Sequence, residues 1–247
     1  MPTKKKVVVV MPALNAAKTL TATVDGIPDG CVDEIVLVDD HSSDSTVELA
    51  RTLPVHVIWH PHNVGYGGNQ KTCYLHALQI DADVVVMLHP DGQYPPELIP
   101  QLTQPIIDGE ADFVLASRFL TGGGPKSGGM PSWKIVANRL LTSIENFLLG
   151  TSFSELHTGY RAYSRELLLE VPFLRNSLDF AFDSEMLMQA LSFGYRFKEI
   201  PCLSLYHDDA SSVSFGVGVV YGLKSIRAAM QYRLSRLGLL RPSWLRP

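Results

Sequence analysis

Five short, almost unbroken apolar runs constrain what this chain can fold into. They are KKVVVVMPA at 5–13, EIVLVDD at 34–40, VHVIWH at 55–60, DVVVMLH at 83–89 and DFVLAS at 112–117. Hydrophobicity within them is continuous rather than alternating and rich in β-branched residues, the pattern of strands covered on both faces. Helical patterns separate them at 16–25, 44–52, 67–80 and 96–108, the last following a double proline. This alternation predicts right-handed crossovers and an α/β fold: an open, mostly parallel sheet with helices on both faces and ligands outside the carboxyl ends of the strands. Residues 121–131, TGGGPKSGGMP, mark a long loop or lid, with a helix expected over 132–149. Further on, the sequence predicts a turn with a short helix, a helix near 183–193 and a strand near 196–205.

Composition narrows the class. The 247 residues are 46% hydrophobic and 19% charged, which excludes a disordered or fibrous chain. A net charge of -4 gives no electrostatic reason to expect nucleic acid as a partner. Cys31, Cys73 and Cys202 are too few and too scattered for a disulfide framework or zinc cluster, and fit reduced thiols in a cytoplasm. The basic start followed by a short apolar run containing Pro12 reads as a first strand, not a signal peptide.

Charge is segregated along the chain. Six of the 21 basic residues (Lys224, Arg227, Arg233, Arg236, Arg241 and Arg246) follow Asp209, and none of the 25 acidic ones does. The expected division is therefore a domain over 1–212 and a basic amphipathic helix and tail over 213–247. Within 216–237, Val217, Val220, Leu223, Ile226, Met230, Leu234 and Leu237 follow three- and four-residue spacing. That stripe suits either an anionic membrane surface, which would make the protein peripheral at the inner face of the membrane, or packing on the domain or on a second copy in a homo-oligomer. The stretch VSFGVGVVYGL falls short of the roughly 20 apolar residues needed to span a bilayer.

Polar residues cluster where this topology puts ligands. The first strand ends in Pro12-Ala13-Leu14-Asn15, the second in Asp39-Asp40-His41-Ser42-Ser43, and the fourth in His89-Pro90-Asp91-Gly92-Gln93. Carboxylates converging on one rim repel one another unless a hard cation, or a ligand's hydroxyl and NH groups, joins them. Asp44 and Ser45 read as ordinary turn and cap residues.

In order along the chain, these segments resemble glycosyltransferase family 2 enzymes with a GT-A fold, above all the polyprenyl-phosphate mannose and glucose synthases and their bacterial relatives. VVVVMPALNAAKTL resembles the donor-binding first strand, EIVLVDDHSSDST the VDDGSxDxT segment, and HNVGYGGNQKTCYLHAL the NxGxGxA-type helix start. LHPDGQYPPELIPQL is similar to the metal motif DADxQxPPExIP, ADFVLASRFL to DxVxGSRxx, and HTGYRAYSRELL to SGFRAxxRxxL.

The resemblance implies metal-dependent, inverting transfer of a sugar from a UDP- or GDP-sugar to a lipid-linked or saccharide acceptor, as in cell-envelope or polysaccharide synthesis. Donor binding falls to Pro12, Asn15, Asp39, Asp40, Asn63, Gly65 and Gln70, with Asp39 and Asp40 on the base and ribose. Asp91 and Gln93 would hold a divalent cation, Mn²⁺ or Mg²⁺, with His89 standing where the family has a carboxylate and His207 as a further ligand. Acceptor phosphate falls to Arg118 and Lys134, while His157 and Arg161 line the acceptor side. Asp91, Arg118 and Asp183 make up the catalytic set. A hydroxyl acceptor needs a general base, for which Asp183 and Glu185 are the candidates, whereas an ionised phosphate needs none. Tyr160 and Tyr163 belong to the core. Asp208 and Asp209 replace a basic loop of the family and count against a phosphate acceptor unless they bind metal or point away. The rival readings are a sugar nucleotidyltransferase, whose Gly-rich phosphate loop is missing from PALNAAKTL, and a non-catalytic nucleotide-sugar binding module. A P-loop is excluded because GYGGNQK lacks the GK[ST] ending.

Overall fold

The computed structural model describes residues 4–206 and 215–246. His207, Asp208 and Asp209, and the boundary expected at 212, lie outside the described residues. The apolar runs become β1 (Val7–Ala13), β2 (Glu34–Asp39), β3 (His56–Trp59), β4 (Val84–Met87) and β5 (Phe113–Ser117). Two more strands follow, β6 (Arg161–Ser164) and β7 (Phe197–Pro201), in a seven-stranded sheet of order β3-β2-β1-β4-β6-β5-β7. β6 runs antiparallel to both β4 and β5, and every other pair is parallel.

β6 replaces the turn expected there. Its sequence RAYS lacks the apolar run of a central strand because a wholly buried arginine, Arg161, opens it. That charge is tolerated because its guanidinium donates to the Thr158 carbonyl and faces Asp183 at 3.6 Å.

Alternate residues of the strands feed two cores. Val8 and Val10 of β1 pack with α3 (Tyr66–Gln79) and α7 (Ala181–Ser192) on one face. Val7, Val9 and Met11 pack with α1 (Leu20–Asp25), α2 (Thr46–Ala50) and α4 (Ile99–Ile107) on the other. α1 and α2 are shorter than the sequence patterns; at the start of α2, Asp44 accepts from the Thr46 N–H at 3.0 Å, the turn role expected of it. α5 (Ser132–Leu149) and α6 (Arg165–Glu170) lie on either side of β6 in the chain, and α8 (Phe215–Arg236) packs on α5 and α7.

Of the two placements open to the apolar stripe of α8, the domain takes only part: Ile226 packs against the core, and most of the stripe stays outside. Ser225, Ala228, Ala229 and Tyr232 go inside, with Ala228, Ala229 and Tyr232 in the same core as Phe182 and Met186. Val217, Val220, Leu223, Met230 and Leu237 face outward. Apart from Tyr232, the side chains α8 buries are small. Among the described residues, no helix is long and apolar enough to cross a membrane.

Candidate active site

Register places the site. In β1 and β2, Ala13 lies opposite Asp39, so Asn15 and Asp40 emerge at one rim. β1 and β4 flank the point where strand order reverses, the usual ligand crevice of such sheets. In β4 and β6, Met87 lies opposite Arg161 with opposed directions, so His89 and Gly159, each two residues beyond that pair, meet face to face. A Cβ at 159 would stand 2.8 Å from His89 Cδ2, so the close approach requires glycine there.

One cluster joins the ends of β1 and β2 to the start of α3. Asn15, in the left-handed region at φ 54°, accepts from the Ser43 N–H at 2.8 Å, and its own N–H donates to Ser42 Oγ at 2.8 Å. Ser42 in turn donates through its hydroxyl and N–H to Asp39. Asp40 accepts from the Val64 and Gly65 N–H groups at 2.8 and 3.1 Å and meets His60 Nδ1 at 3.0 Å. Asn63 Nδ2 donates to the Asp40 carbonyl at 3.1 Å. Asp40 is therefore turned inward, where it builds the loop before α3; direct contact with a nucleotide, as expected from sequence, would require this clamp to open. Pro12 is likewise buried within β1. The glycines of GYGG serve packing: Gly67 donates its N–H to the Leu178 carbonyl at 2.8 Å, and a methyl at 67 would overlap the Ser177 carbonyl.

The second cluster lines a cavity of about 500 Å³ that takes in His89, Asp91, Gln93, Arg118, Lys134, His157 and Asp183. Gln70 and Arg161 do not line it; they hold Asp183 from behind. Gln70 Nε2 donates to Asp183 Oδ1 at 3.0 Å, and Arg161 lies against the same oxygen. The opposite oxygen accepts from the Tyr66 hydroxyl at 2.8 Å, and that hydroxyl sits 3.3 Å from His89 Nε2. Gln70, expected on the donor side, and Arg161, expected on the acceptor side, are both buried and reach the cavity only through this carboxylate. Burial, reinforced by Asp183, pushes the Tyr66 phenol up, so it stays a proton donor to that carboxylate. Burial pulls His89 down, against the pull of Asp91 and Asp183, and the ring remains neutral, stacked on Tyr66 at 5.6 Å. Glu185 is no alternative base: it leaves the cavity wall and accepts from the Ser177 N–H and hydroxyl at 2.6 and 2.8 Å.

Arg118 is almost wholly buried, and its guanidinium donates to Glu155, to the His157 carbonyl and, through NH1, to the Tyr206 hydroxyl at 2.6 Å. Burial opposes both charges of the pair, but mutual attraction wins, holding Glu155 below and Arg118 above their ordinary values. Lys134 extends over the rings of Trp133 and Tyr206 at 5.5 and 5.7 Å, and burial together with Arg118 lowers its pKa. His157 bridges two helices, its Nδ1 2.8 Å from the Tyr221 hydroxyl of α8 and its Nε2 2.9 Å from Glu145 of α5. Tyr66, Glu155, Tyr206 and Tyr221 escaped the sequence reading; Tyr66 occupies the variable position between two motif glycines, and Glu155 lies two residues before His157. Tyr160 and Tyr163 are fully buried, as expected.

No group of three or more His, Cys, Asp or Glu side chains forms a metal cage among the described residues. Asp91, whose Oδ1 accepts from the Gln93 N–H at 3.0 Å, offers a carboxylate at the cavity wall. His89 lines the same cavity and turns Nε2 to the Tyr66 hydroxyl at 3.3 Å, a contact it would have to give up to stand in for a carboxylate in a metal shell. One carboxylate beside an open cavity fits a hard cation that takes its remaining ligands from a diphosphate and water.

The reversed strand order, with the strand-end carboxylate of Asp91 on the cavity wall, is the architecture of the GT-A fold class. The chain belongs to glycosyltransferase family 2: that family's sequence pattern, described as "Glycosyl transferase family 2", matches residues 8–171. It is a glycosyltransferase. Among its relatives, a dolichyl-phosphate hexose transferase of Haloferax volcanii is 30% identical over 89% of this chain and 90% of its own. A UDP-N-acetylglucosamine–dolichyl-phosphate N-acetylglucosaminyltransferase of Methanococcus voltae is 27% identical over 94% and 98%. In fold, the chain matches glucosyl-3-phosphoglycerate synthase of Mycobacterium tuberculosis, crystallised with Mn²⁺, UDP and phosphoglyceric acid, at TM-score 0.68 and 22% identity, covering 97% of this chain and 81% of that one.

Proposed function

We propose that the protein transfers a sugar, with inversion, from a UDP- or GDP-sugar to the phosphate of a prenyl lipid. The observation that carries this is the mixed lining of one cavity. Asp91, Arg118, Lys134 and Asp183 line it together with Leu140, Leu141 and Ile144 of α5 and Val219, Leu223 and Ile226 of α8. A ligand that matches both kinds of wall has an anionic head and a hydrocarbon tail. The names of the Haloferax and Methanococcus relatives, both dolichyl-phosphate transferases, agree with it.

The chemistry follows from the residues. An ionised phosphate oxygen is already a nucleophile, so the acceptor needs no base, and the buried ties on Asp183 do not have to be broken for proton transfer. Lys134, beside the Arg118–Glu155 pair, holds the acceptor phosphate and offsets its repulsion from the donor's diphosphate. Asp91 would hold a divalent cation, Mg²⁺ or Mn²⁺, which when bound neutralises charge on the departing diphosphate. Asp183, fixed by Tyr66, Gln70 and Arg161, orients the sugar between the two phosphates.

The test is a panel of labelled UDP- and GDP-sugars offered with a short, water-soluble prenyl phosphate, the matching prenyl alcohol and free sugars. Transfer to the phosphate alone is expected. Transfer to the alcohol or to a sugar hydroxyl would overturn the reading and make Asp183 a base.

A further inference from the structure

We infer that the outer faces of α5 and α8 form one docking surface for an anionic lipid bilayer, and that the cavity opens into it. The inference rests on the lipid-phosphate reading only for what enters the cavity; the surface itself stands on the following observations.

α5 exposes an apolar stripe that the domain does not cover. Trp133, Val136, Leu140 and Phe147 recur at helical spacing, with Val136 67% and Phe147 82% exposed. α8 exposes Val219, Val220, Leu223 and Met230, with Leu223 64% exposed. The two stripes adjoin, because the helices pack on each other and Leu140, Val219 and Leu223 are also walls of the cavity. Large aliphatic side chains are thus exposed side by side around the mouth of a cavity, and not scattered singly over a surface.

Charge selects the occupant. Every exposed charge on α5 and α8 is positive: Arg139 on the first, Lys224, Arg227, Arg233 and Arg236 on the second, with half-buried Lys134 adding to them at the cavity. The only acid in either helix, Glu145, is buried against His157. Lys224 pairs with Asp179, whereas Arg227, Arg233 and Arg236 have no carboxylate partner among the described residues. A second copy presenting the same face would set cation against cation. An anionic headgroup layer over an apolar interior complements both features, and a prenyl phosphate could then pass laterally from bilayer to cavity without exposing its tail to water.

The test uses the full chain and vesicles of neutral phosphatidylcholine or of phosphatidylcholine with phosphatidylglycerol. Wild-type protein should co-sediment with the anionic vesicles, and salt should weaken binding. The double variant Arg227→Glu/Arg233→Glu should lower anionic-vesicle affinity by about tenfold or more. Val136→Glu/Phe147→Glu, which alters residues outside the cavity, should abolish vesicle binding. Both variants should retain transfer to a short, soluble prenyl phosphate but lose most transfer to a long-chain prenyl phosphate in vesicles. Wild-type binding that ignores lipid charge, or no binding, overturns the inference. So does a wild-type dimer in sedimentation equilibrium that Val136→Glu/Phe147→Glu dissociates, which would assign the face to a second copy. If vesicle binding holds but the soluble prenyl phosphate is not glycosylated, the functional reading fails and the docking surface stands.

Discussion

The Tyr66 hydroxyl donates to the Asp183 carboxylate across 2.8 Å, tying the start of α3 to the first turn of α7 at the cavity wall. Gln70, one turn further along α3, holds the other carboxylate oxygen. Asp183 is thus a positioned acceptor, and loss of one charge-assisted hydrogen bond is enough to let it drift. Tyr66→Phe is expected to lower kcat by about tenfold or more with little change in the donor's KM. Steady-state kinetics on the short prenyl phosphate give the split; a change confined to KM would assign Tyr66 to binding instead.

The buried pair of Arg118 and Glu155 backs the cavity wall, and its loss should appear first in stability. Asn138 Nδ2 also donates to Glu155, at 2.8 Å. Glu155→Gln leaves the guanidinium without its counter-charge in a dry site and should cost about 3–5 kcal/mol, read from urea unfolding. The pH dependence has a defined sign. The pair holds the folded carboxyl below its ordinary value of 4.5, so its contribution is complete above that value and is lost as pH falls through the folded pKa. Wild-type stability should therefore fall more steeply on acidification than that of Glu155→Gln. Parallel curves would remove Glu155 from the stability account.

Much of this was open to sequence reasoning, and the failures have physical reasons. β1 to β5 announce themselves because a strand buried on both faces must be apolar throughout. β6 conceals itself because Arg161 spends a buried position on Asp183, a pairing 22 residues away that no local pattern carries. Long-range ties of the same kind were equally hidden at Gln70 and His89: their residue types suit a ligand, and no local pattern carries their contacts with Asp183 and Tyr66. On α8, hydrophobic spacing identified the helix and its apolar stripe but left open which way the stripe faces, because the face that packs is made of Ser225, Ala228, Ala229 and Tyr232, which the spacing of large apolar residues does not mark.

Asp91 should carry the metal dependence. Calorimetry of UDP and GDP with and without Mn²⁺ is expected to show that Asp91→Ala loses the metal-dependent gain in affinity while its thermal midpoint stays near that of the wild type, because the residue sits at the cavity wall outside both cores. His89→Ala should keep that gain, as its Nε2 is directed to Tyr66. If His89→Ala abolishes the gain and Asp91→Ala does not, the two assignments are reversed.

Lys134 should set the alkaline limit of acceptor binding. Burial, with Arg118 adding to it, lowers its pKa from the usual 10.5, so the ammonium loses its proton earlier than an exposed lysine as pH rises. A phosphate acceptor is held by the charged form, so its KM should climb with pH below 10.5 while the donor's KM stays level. Lys134→Met should raise the acceptor KM by about tenfold at neutral pH, the scale of one charge-assisted hydrogen bond, and remove this rise. Lys134→Arg keeps the charge at every accessible pH and should restore binding with a flat profile. An alkaline rise that persists in Lys134→Arg would move the titration to another group and take Lys134 out of acceptor recognition.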